Sequence, residues 1–479
     1  MRFAWSLRFT GIHQRSDLNF PVYFSNVTIQ HRSWYVHLGT IVLGTLAVLS
    51  VALANGFPLV YSDTGTYLRS AFTGFVPEDR PYWYGLFIQV TSLNGATLWG
   101  VVIVQAALCS ALLWRCWSAF GDGRAWTFLL SIGILAPCTG LGWYAGQLVA
   151  DIFSVIGLLA GLLFMLAPSR LLERVFCAML IVLACWVHLS NLLILPLVLS
   201  VTAIAAWRMK WTVDIARLGS LAVVLIATWP GLMLANKAVD GEAYISRHSH
   251  VFLMSRMAES GILQKWLDEH CATEPYTICN YKDSIPTNSR IFMWSDHSPA
   301  HWQGGGPLMR TEYKAIINST LSDPEYLAMH VAASLRSTWQ LLGLWRVADE
   351  LEGEYYRQDY SAPYGSIAGL TPQHLEPYLN SAQNTGRGTL GLRWIDRIYQ
   401  GLMTLTLLAC VALLVSRTSR KLNAPLLIFG VATMIVGAWV CATLSTVDSR
   451  FMARTAWLLP FVVMMLVWNT KRPGLTGSE

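Results

Sequence analysis

Charged side chains are scarce in this chain of 479 residues, and their scarcity excludes an ordinary soluble domain. Charged residues make up 13% of the sequence, whereas they make up about 25% of an average soluble domain. Hydrophobic residues reach 54% and include 21 tryptophans. This composition predicts a polytopic α-helical membrane protein. The net charge of +6 does not indicate nucleic-acid binding, because membrane proteins use basic residues to set their orientation.

Several motifs of soluble enzymes are also missing. The chain has no glycine-rich phosphate loop, no Rossmann fingerprint and no Gly-x-Ser-x-Gly elbow, so nucleotide and serine-hydrolase chemistry have no support. Its histidines lack a zinc-site spacing, and we predict no cofactor, although a divalent metal stays possible. Residues 1–35 do not resemble a cleavable signal, so we expect the first apolar helix to remain as an anchor.

Long apolar runs recur along the chain. A membrane-spanning helix needs about 20 apolar residues, and the runs predict about ten spans. The fifth and sixth are short and could instead form one bent helix or a re-entrant pair. The predicted spans are residues 37–56, 96–117, 126–144, 148–167, 175–187, 191–207, 218–236, 398–416, 425–445 and 456–470.

Lysine and arginine in the short loops predict the orientation of these spans. With both termini in the cytoplasm, twelve lie inside and four outside, as expected if basic loops stay inside. The chain then divides into an N-terminal membrane module, 1–236, with a first outer loop at 57–95, an outer domain of mixed polarity, 237–397, and C-terminal spans, 398–479. The twelve are Arg115, Arg124, Arg170, Arg174, Arg208, Lys210, Arg217, Arg417, Arg420, Lys421, Lys471 and Arg472; the four are Arg69, Arg80, Arg450 and Arg454.

The first outer loop carries the leading candidates for chemistry. Asp63 follows the first span, and a carboxylate beside the membrane can accept a proton from a hydroxyl group. Arg80 lies in the same loop, and its guanidinium suits a phosphate. Two structural alternatives stay open: Asp63 could cap a helix that begins at Thr64, and Arg80 could be an interfacial anchor.

Further polar residues stand near the predicted outer ends of spans. Asp151 is a second candidate carboxylate, because a buried acid is costly unless it is paired or faces water, although it could also cap its helix. His188 falls between the two short spans, where it could bind substrate or simply belong to a polar turn. Arg450 and Arg454 are candidate phosphate ligands, with interfacial anchoring as the alternative.

Two of the nine cysteines stand apart from the rest. Seven lie in or beside apolar runs, where cysteine packs as a small hydrophobe. Cys271 and Cys279 are close together in a polar stretch of the outer domain. They predict a local disulfide if that stretch faces an oxidising compartment, with two free thiols as the alternative.

These residues and the layout resemble the membrane-embedded glycosyltransferases of the GT-C superfamily, in particular the branch of the protein O-mannosyltransferases and the lipid A aminoarabinose transferase. In that group an acidic residue and a nearby tyrosine in the first outer loop precede an Arg/Lys-Pro-Pro-like element that opens an aromatic helix. Asp63 and Tyr67 match the first part, and the stretch from Arg80 to Tyr84 matches the second.

The resemblance implies an inverting transfer of a sugar from a polyprenyl phosphate to an acceptor glycan, lipid or protein on the outer face of a bacterial inner membrane. Asp63 would be the general base, with Asp151 as a second catalytic carboxylate. Tyr67, Arg80, Tyr84, His188, Arg450 and Arg454 would bind substrate, and membrane lipid would flank a groove between the spans. The alternatives are a transporter or lipid flippase without covalent chemistry, which typically shows internal repeats, and an anchored scaffold.

Overall fold

The architecture is almost entirely helical. A computed structural model describes residues 34–470 apart from residues 212, 275, 304, 350, 352, 388 and 416. Within those residues it contains α-helices, three 3-10 turns and no β-strand, and one parallel β-bridge pairs Leu59 with Gln147. The predictions made for residues 1–33 and 471–479, which include both termini and the basic pair Lys471 and Arg472, lie outside the described residues.

Among the described residues, the N-terminal part of the chain folds into eleven helices. Nine of them follow the first seven apolar runs, and two lie in the predicted first outer loop. Some runs divide in two: Pro137 lies in the last turn of one helix, and Thr139 is extended before the next helix begins. The fifth and sixth runs form two separate helices that meet at residues 188–190. In chain order the helices are α1 Trp34–Val48, α2 Ser50–Asn55, α3 Thr64–Thr73, α4 Trp83–Thr91, α5 Trp99–Phe120, α6 Ala125–Cys138, α7 Gly140–Ala145, α8 Phe153–Leu166, α9 Leu171–Val187, α10 Asn191–Arg208 and α11 Ile215–Asp240.

Nine further helices lie in the described part of residues 241–387, the segment between α11 and the C-terminal helices, here called the inter-span segment. Residues 251–326 contribute a separate hydrophobic core, in which Trp266, Phe292 and Tyr313 are buried. Later residues of the segment, such as Tyr378, pack instead into the core of the membrane helices. The helices are α12 Ser249–Glu259, α13 Ile262–His270, α14 Ser289–Trp294, α15 Pro299–Trp302, α16 Gly306–Ser322, α17 Pro324–Leu342, α18 Gly353–Tyr356, α19 Ala362–Leu370 and α20 Leu375–Leu379.

Four further helices of the described residues follow the inter-span segment and hold it in place. Ser334 of α17 shares a hydrogen bond of 2.6 Å with Thr443, and Ser289 of α14 shares one of 2.7 Å with Thr446. The segment is therefore bonded to the C-terminal end of the helix that carries Thr443. The four helices are α21 Thr389–Val415, α22 Arg417–Leu444, α23 Ser449–Ala456 and α24 Leu458–Thr470.

Six helical stretches of the described residues are long and apolar enough to cross a membrane. Three shorter apolar helical stretches, residues 34–48, 125–138 and 150–166, accompany them. This pattern is that of an α-helical membrane protein. The six stretches are Trp99–Phe120, Asn191–Arg208, Ile215–Asp240, Arg393–Val415, Ala424–Leu444 and Ser449–Asn469.

Helix α8 lies at the centre of this bundle. Every residue from Phe153 to Met165 is buried, because neighbouring helices cover all sides of α8. A Cβ atom added at Gly157 would stand 2.7 Å from the Cβ atom of Ala184 in α9, so glycine is needed for this close approach. The 3-10 turn Ala150–Ile152, which precedes α8, thus starts the most enclosed helix of the protein.

Candidate active site

Two loops are fastened together at the end of the bundle where α2 and α7 finish. The backbone N–H of Leu59 donates to the Gly146 carbonyl, and the N–H of Leu148 donates to the Leu59 carbonyl, both at 2.9 Å. The hydroxyl of Thr64 also donates to the Leu148 carbonyl at 3.2 Å. These bonds bring the loop that carries Asp63 beside the turn that carries Asp151.

Asp63 occupies the residue before α3, yet its side chain makes no capping hydrogen bond. Its carboxylate instead forms ion pairs with Arg80 at 2.7 Å and with Arg450 at 2.9 Å. The capping alternative for Asp63 therefore has no hydrogen bond to support it, and the carboxylate is held by two arginines. Arg80 likewise points into this cluster, and its guanidinium also pairs with the neighbouring Asp79 at 2.7 Å.

Asp151 is fully buried in the 3-10 turn before α8, and two arginines of α23 neutralise it. Its Oδ2 atom accepts from Arg450 Nε at 2.7 Å, and its Oδ1 atom accepts from Arg454 Nη1 at 2.6 Å. Arg450 therefore joins the two candidate carboxylates, Asp63 and Asp151. A buried charge is tolerated only when it is paired and hydrogen-bonded in this way.

His188 and Arg454 form a layer behind the carboxylates. Arg454 is completely buried and donates from Nη1 to His188 Nε2 at 2.6 Å. Because that ring nitrogen accepts, the ring proton belongs on Nδ1, which lies 3.0 Å from Ser190 Oγ. Burial and the Arg454 charge lower the pKa of His188, so the imidazole is neutral at pH 7.

The balance of charges in this cluster controls the protonation of Asp63. Burial by itself raises the pKa of the Asp63 carboxyl, but Arg80 and Arg450 hold that pKa below its usual range. Three carboxylates, of Asp63, Asp79 and Asp151, face three guanidiniums, of Arg80, Arg450 and Arg454. We call this group of six side chains the ionic cluster; its formal charge is zero.

The two tyrosines predicted to bind substrate differ in position. Tyr67 lies at the wall of the adjoining cavity, and the Arg80 guanidinium stands over its ring at 5.6 Å. Tyr84 is fully buried, and its hydroxyl donates to Gln105 Oε1 at 2.6 Å. The resemblance implied a substrate-binding role for Tyr84, whereas the turn of α4 directs its ring into the core. Tyr84 therefore does not reach the cavity.

Two other predicted site residues, Asp151 and Arg454, are also absent from the cavity wall. Both are completely buried and paired with each other, and Asp151 also pairs with Arg450. Their geometry supports positioning of Arg450 in place of direct contact with a ligand. Asp63, Arg80, His188 and Arg450 do line the cavity.

The cavity beside the ionic cluster has a volume of about 1390 Å³. It lies where α9 and α22 end and where α10 and α21 begin. One wall carries the exposed side of the ionic cluster, and another is apolar. The apolar wall contains Leu189, Leu193, Phe252, Leu253, Val440 and Leu444. A charged wall beside an apolar wall suits an amphiphilic ligand with a polar head and a hydrocarbon chain.

Metal and disulfide positions complete the list of predicted sites. Within the described residues, no group of three or more histidine, cysteine or acidic side chains stands ready to hold a metal ion. Cys271 and Cys279 form a disulfide. It joins the end of α13 to the following 3-10 turn, inside the separate core of the inter-span segment, and it lies outside the cavity wall.

Sequence reasoning missed several charged residues at the cavity. Asp79 directly precedes Arg80, so it could have been noticed as a partner. Arg393, Asp396 and Arg397 recur at the three- and four-residue spacing of one helical face, just before the predicted eighth span. That spacing was a usable signal for a polar helix face. Arg346 had no comparable signal, since it lies in an irregular loop.

No family model, curated protein or solved structure matches this chain. The fold and site together define an α-helical membrane protein with a charged, partly apolar cavity at one end of its helices. Its function is therefore inferred from the geometry of that cavity.

Proposed function

We propose that this protein is a membrane glycosyltransferase of GT-C type, with about ten spans. It would move a sugar from a polyprenyl phosphate to an acceptor hydroxyl on the outer face of a bacterial inner membrane. The observation that carries the proposal is the cavity in which the Asp63 carboxylate stands between two guanidiniums and near an apolar wall. Such a cavity offers a base, cations for a phosphate and a surface for a lipid chain.

The reaction assigns a role to each side of the cavity. The acceptor oxygen attacks the anomeric carbon and forms the new glycosidic bond, while its proton passes to the Asp63 carboxylate. The bond between the anomeric carbon and the phosphate oxygen breaks, and the electron pair leaves with the phosphate. Arg80 and Arg450 stabilise the charge that develops on this leaving group, because preplaced cations act best where charge appears in the transition state.

The ion pairs of Asp63 affect its strength as a base. The Asp63 carboxylate pairs with both Arg80 and Arg450, and these arginines weaken its affinity for a proton. A phosphate bound between Arg80 and Arg450 would draw their charge away from Asp63. The carboxylate would then become a stronger base when the donor is present. Arg454 and Asp151 would hold Arg450 in position for this exchange.

Donor cleavage in variants of the purified protein tests this function. We expect Asp63→Asn and Arg450→Gln to reduce the release of polyprenyl phosphate from a polyprenyl-phosphate hexose by about 100-fold or more, because each removes a group that acts in the transition state. Mass spectrometry of the lipid products, with a membrane extract as the acceptor source, measures this release. A matched control is Asp283→Asn, at an exposed site outside the cavity wall.

Two results would contradict the proposal. The first is unchanged donor cleavage in Asp63→Asn. The second is movement of the lipid across vesicle membranes without any new glycosidic bond, which would favour the flippase alternative.

A further inference from the structure

A second group of charged residues lines the cavity on the face of α21. Arg393, Asp396, Arg397 and Gln400 all contribute to the wall. Their spacing of three and four residues places them on one side of the helix. The N-terminal end of α21 thus presents a polar face to the cavity, at a position distinct from the ionic cluster, which draws its side chains from other parts of the chain.

Hydrogen bonds to Asp396 hold a third arginine, Arg346, near this face. Its Oδ1 atom accepts from the backbone N–H of Val347 at 2.7 Å and from that of Ala348 at 3.3 Å. These bonds tie the loop after α17 to α21. Arg346 precedes the bonded residues, and its side chain lines the same cavity as Arg393 and Arg397. We call these three arginines the arginine wall.

The arginine wall differs from the ionic cluster in its counter-ions. Among the described residues, none of the three guanidiniums forms an ion pair with a carboxylate, although the charge of Arg346 acts on the Asp396 carboxylate, and all three side chains are exposed. Arg397 stands over the ring of Trp394 at 5.0 Å. Two carboxylates, of Asp349 and Asp396, line the cavity with these arginines. Three positive and two negative side chains together give a formal charge of +1.

We propose that Arg346, Arg393 and Arg397 form a binding site for a phosphoryl group that is separate from the ionic cluster. Guanidiniums suit phosphate oxygens because their planar donors pair with two oxygens at once. The cavity volume of about 1390 Å³ exceeds the roughly 300–1,000 Å³ that usually holds one small ligand. There is room for a second anionic group beside the one that Arg80 and Arg450 would hold.

The phosphoryl group could belong to a lipid headgroup or to a water-soluble phosphate ester, and binding measurements on the purified full chain distinguish these sources. The two probes are undecaprenyl phosphate and glycerol 3-phosphate. We expect Arg393→Gln/Arg397→Gln to weaken binding of at least one probe about tenfold or more, the effect of losing hydrogen bonds to a charged group. The matched control is Arg336→Gln, at an exposed arginine of α17 outside the cavity wall.

Each outcome has a definite meaning. Weaker binding of undecaprenyl phosphate alone assigns the site to a lipid headgroup, and weaker binding of glycerol 3-phosphate alone assigns it to a soluble ester. Equal affinities in the parent and the double variant, or no binding of either probe by the parent, overturn the proposal. Arg346→Gln, which changes a loop residue and leaves α21 intact, provides the same comparison if the double variant is unstable.

The result does not depend on glycosyl transfer. Asp63→Asn is expected to retain binding at the arginine wall even if it abolishes donor cleavage. Loss of the proposed transfer activity and loss of the proposed site can therefore be told apart.

Discussion

The ionic cluster and the arginine wall line one cavity, but they differ in whether their arginines are paired with carboxylates. In the cluster each guanidinium has a carboxylate within 2.9 Å, and Asp151 and Arg454 are completely buried. In the wall, the three guanidiniums are exposed and have no carboxylate partner among the described residues. The first arrangement fixes its charges in place, whereas the second leaves its donors available to a ligand.

This difference follows from burial. A charge that is removed from water must be compensated by the protein itself, because its desolvation costs several kcal/mol. A charged side chain at an exposed wall remains hydrated, so it can lack a partner in the protein at little cost in free energy. The completely buried pair of Asp151 and Arg454 should therefore respond to mutation chiefly through stability, and the wall chiefly through affinity.

The largest effect is expected from Asp151→Asn. The change keeps the shape of the side chain but leaves Arg454 buried without a carboxylate. Breaking a buried pair costs about 3–5 kcal/mol, so the thermal midpoint of the detergent-solubilised protein should fall strongly. The control is Asp268→Asn, which breaks an exposed pair with Lys282 and should change the midpoint little.

A double variant checks the cause of this loss. Arg454→Met added to Asp151→Asn removes the orphaned charge, and part of the lost stability should return. If Asp151→Asn has the thermal midpoint of the parent, the buried pair does not stabilise the fold and the contrast between cluster and wall fails.

An intermediate effect is expected in the pH dependence of Arg80→Gln. Ionised Asp63 contributes stability in the parent above its unfolded pKa of 3.8, and this contribution disappears as the pH falls through the lower pKa of the folded state. Without Arg80, one cation fewer opposes the effect of burial, so the folded-state pKa of Asp63 lies closer to its unfolded value or above it. The stability that Asp63 contributes at neutral pH, and that the protein loses on acidification, should therefore be smaller in the variant than in the parent.

Thermal midpoints recorded between about pH 2 and pH 7 measure this change, since that window extends below the ordinary carboxyl pKa. The matched control is Arg69→Gln, because Arg69 stands 4.2 Å over the ring of Phe75 and is not one of the six side chains of the ionic cluster. Parallel curves for the parent and Arg80→Gln would show that Arg80 does not hold the Asp63 carboxylate in its ionised form.

Local patterns in the sequence predicted much of the helical layout. Each of the ten apolar runs coincides with one helix or with a pair separated by a short break. The disagreements lie at the breaks, as at Thr139, where the chain leaves and re-enters helix within one apolar run. Hydropathy averages over such breaks, because it does not register the backbone conformation of a single residue.

The contacts of the site could be foretold only in part. Asp63 and Arg80 were found because ionisable residues are costly beside a membrane. The bridge that Arg450 makes from Asp63 to Asp151 joins residues about 300 or more positions apart, so no local pattern contains it. The substrate-binding role of Tyr84 was implied by the resemblance alone, and only the helical phase of α4 decides that its ring is buried.

The smallest expected effect concerns Asp349, the second carboxylate of the arginine wall. Its removal in Asp349→Asn leaves the wall more positive, so whichever phosphate probe binds there should bind about two- to fivefold more tightly, the range of one exposed charge interaction. The gain should shrink at high salt because exposed charges are screened. Asp359→Asn, at an exposed site outside the cavity wall, is the control. Weaker binding in Asp349→Asn would instead mean that this carboxylate positions an arginine, and the wall would then resemble the cluster.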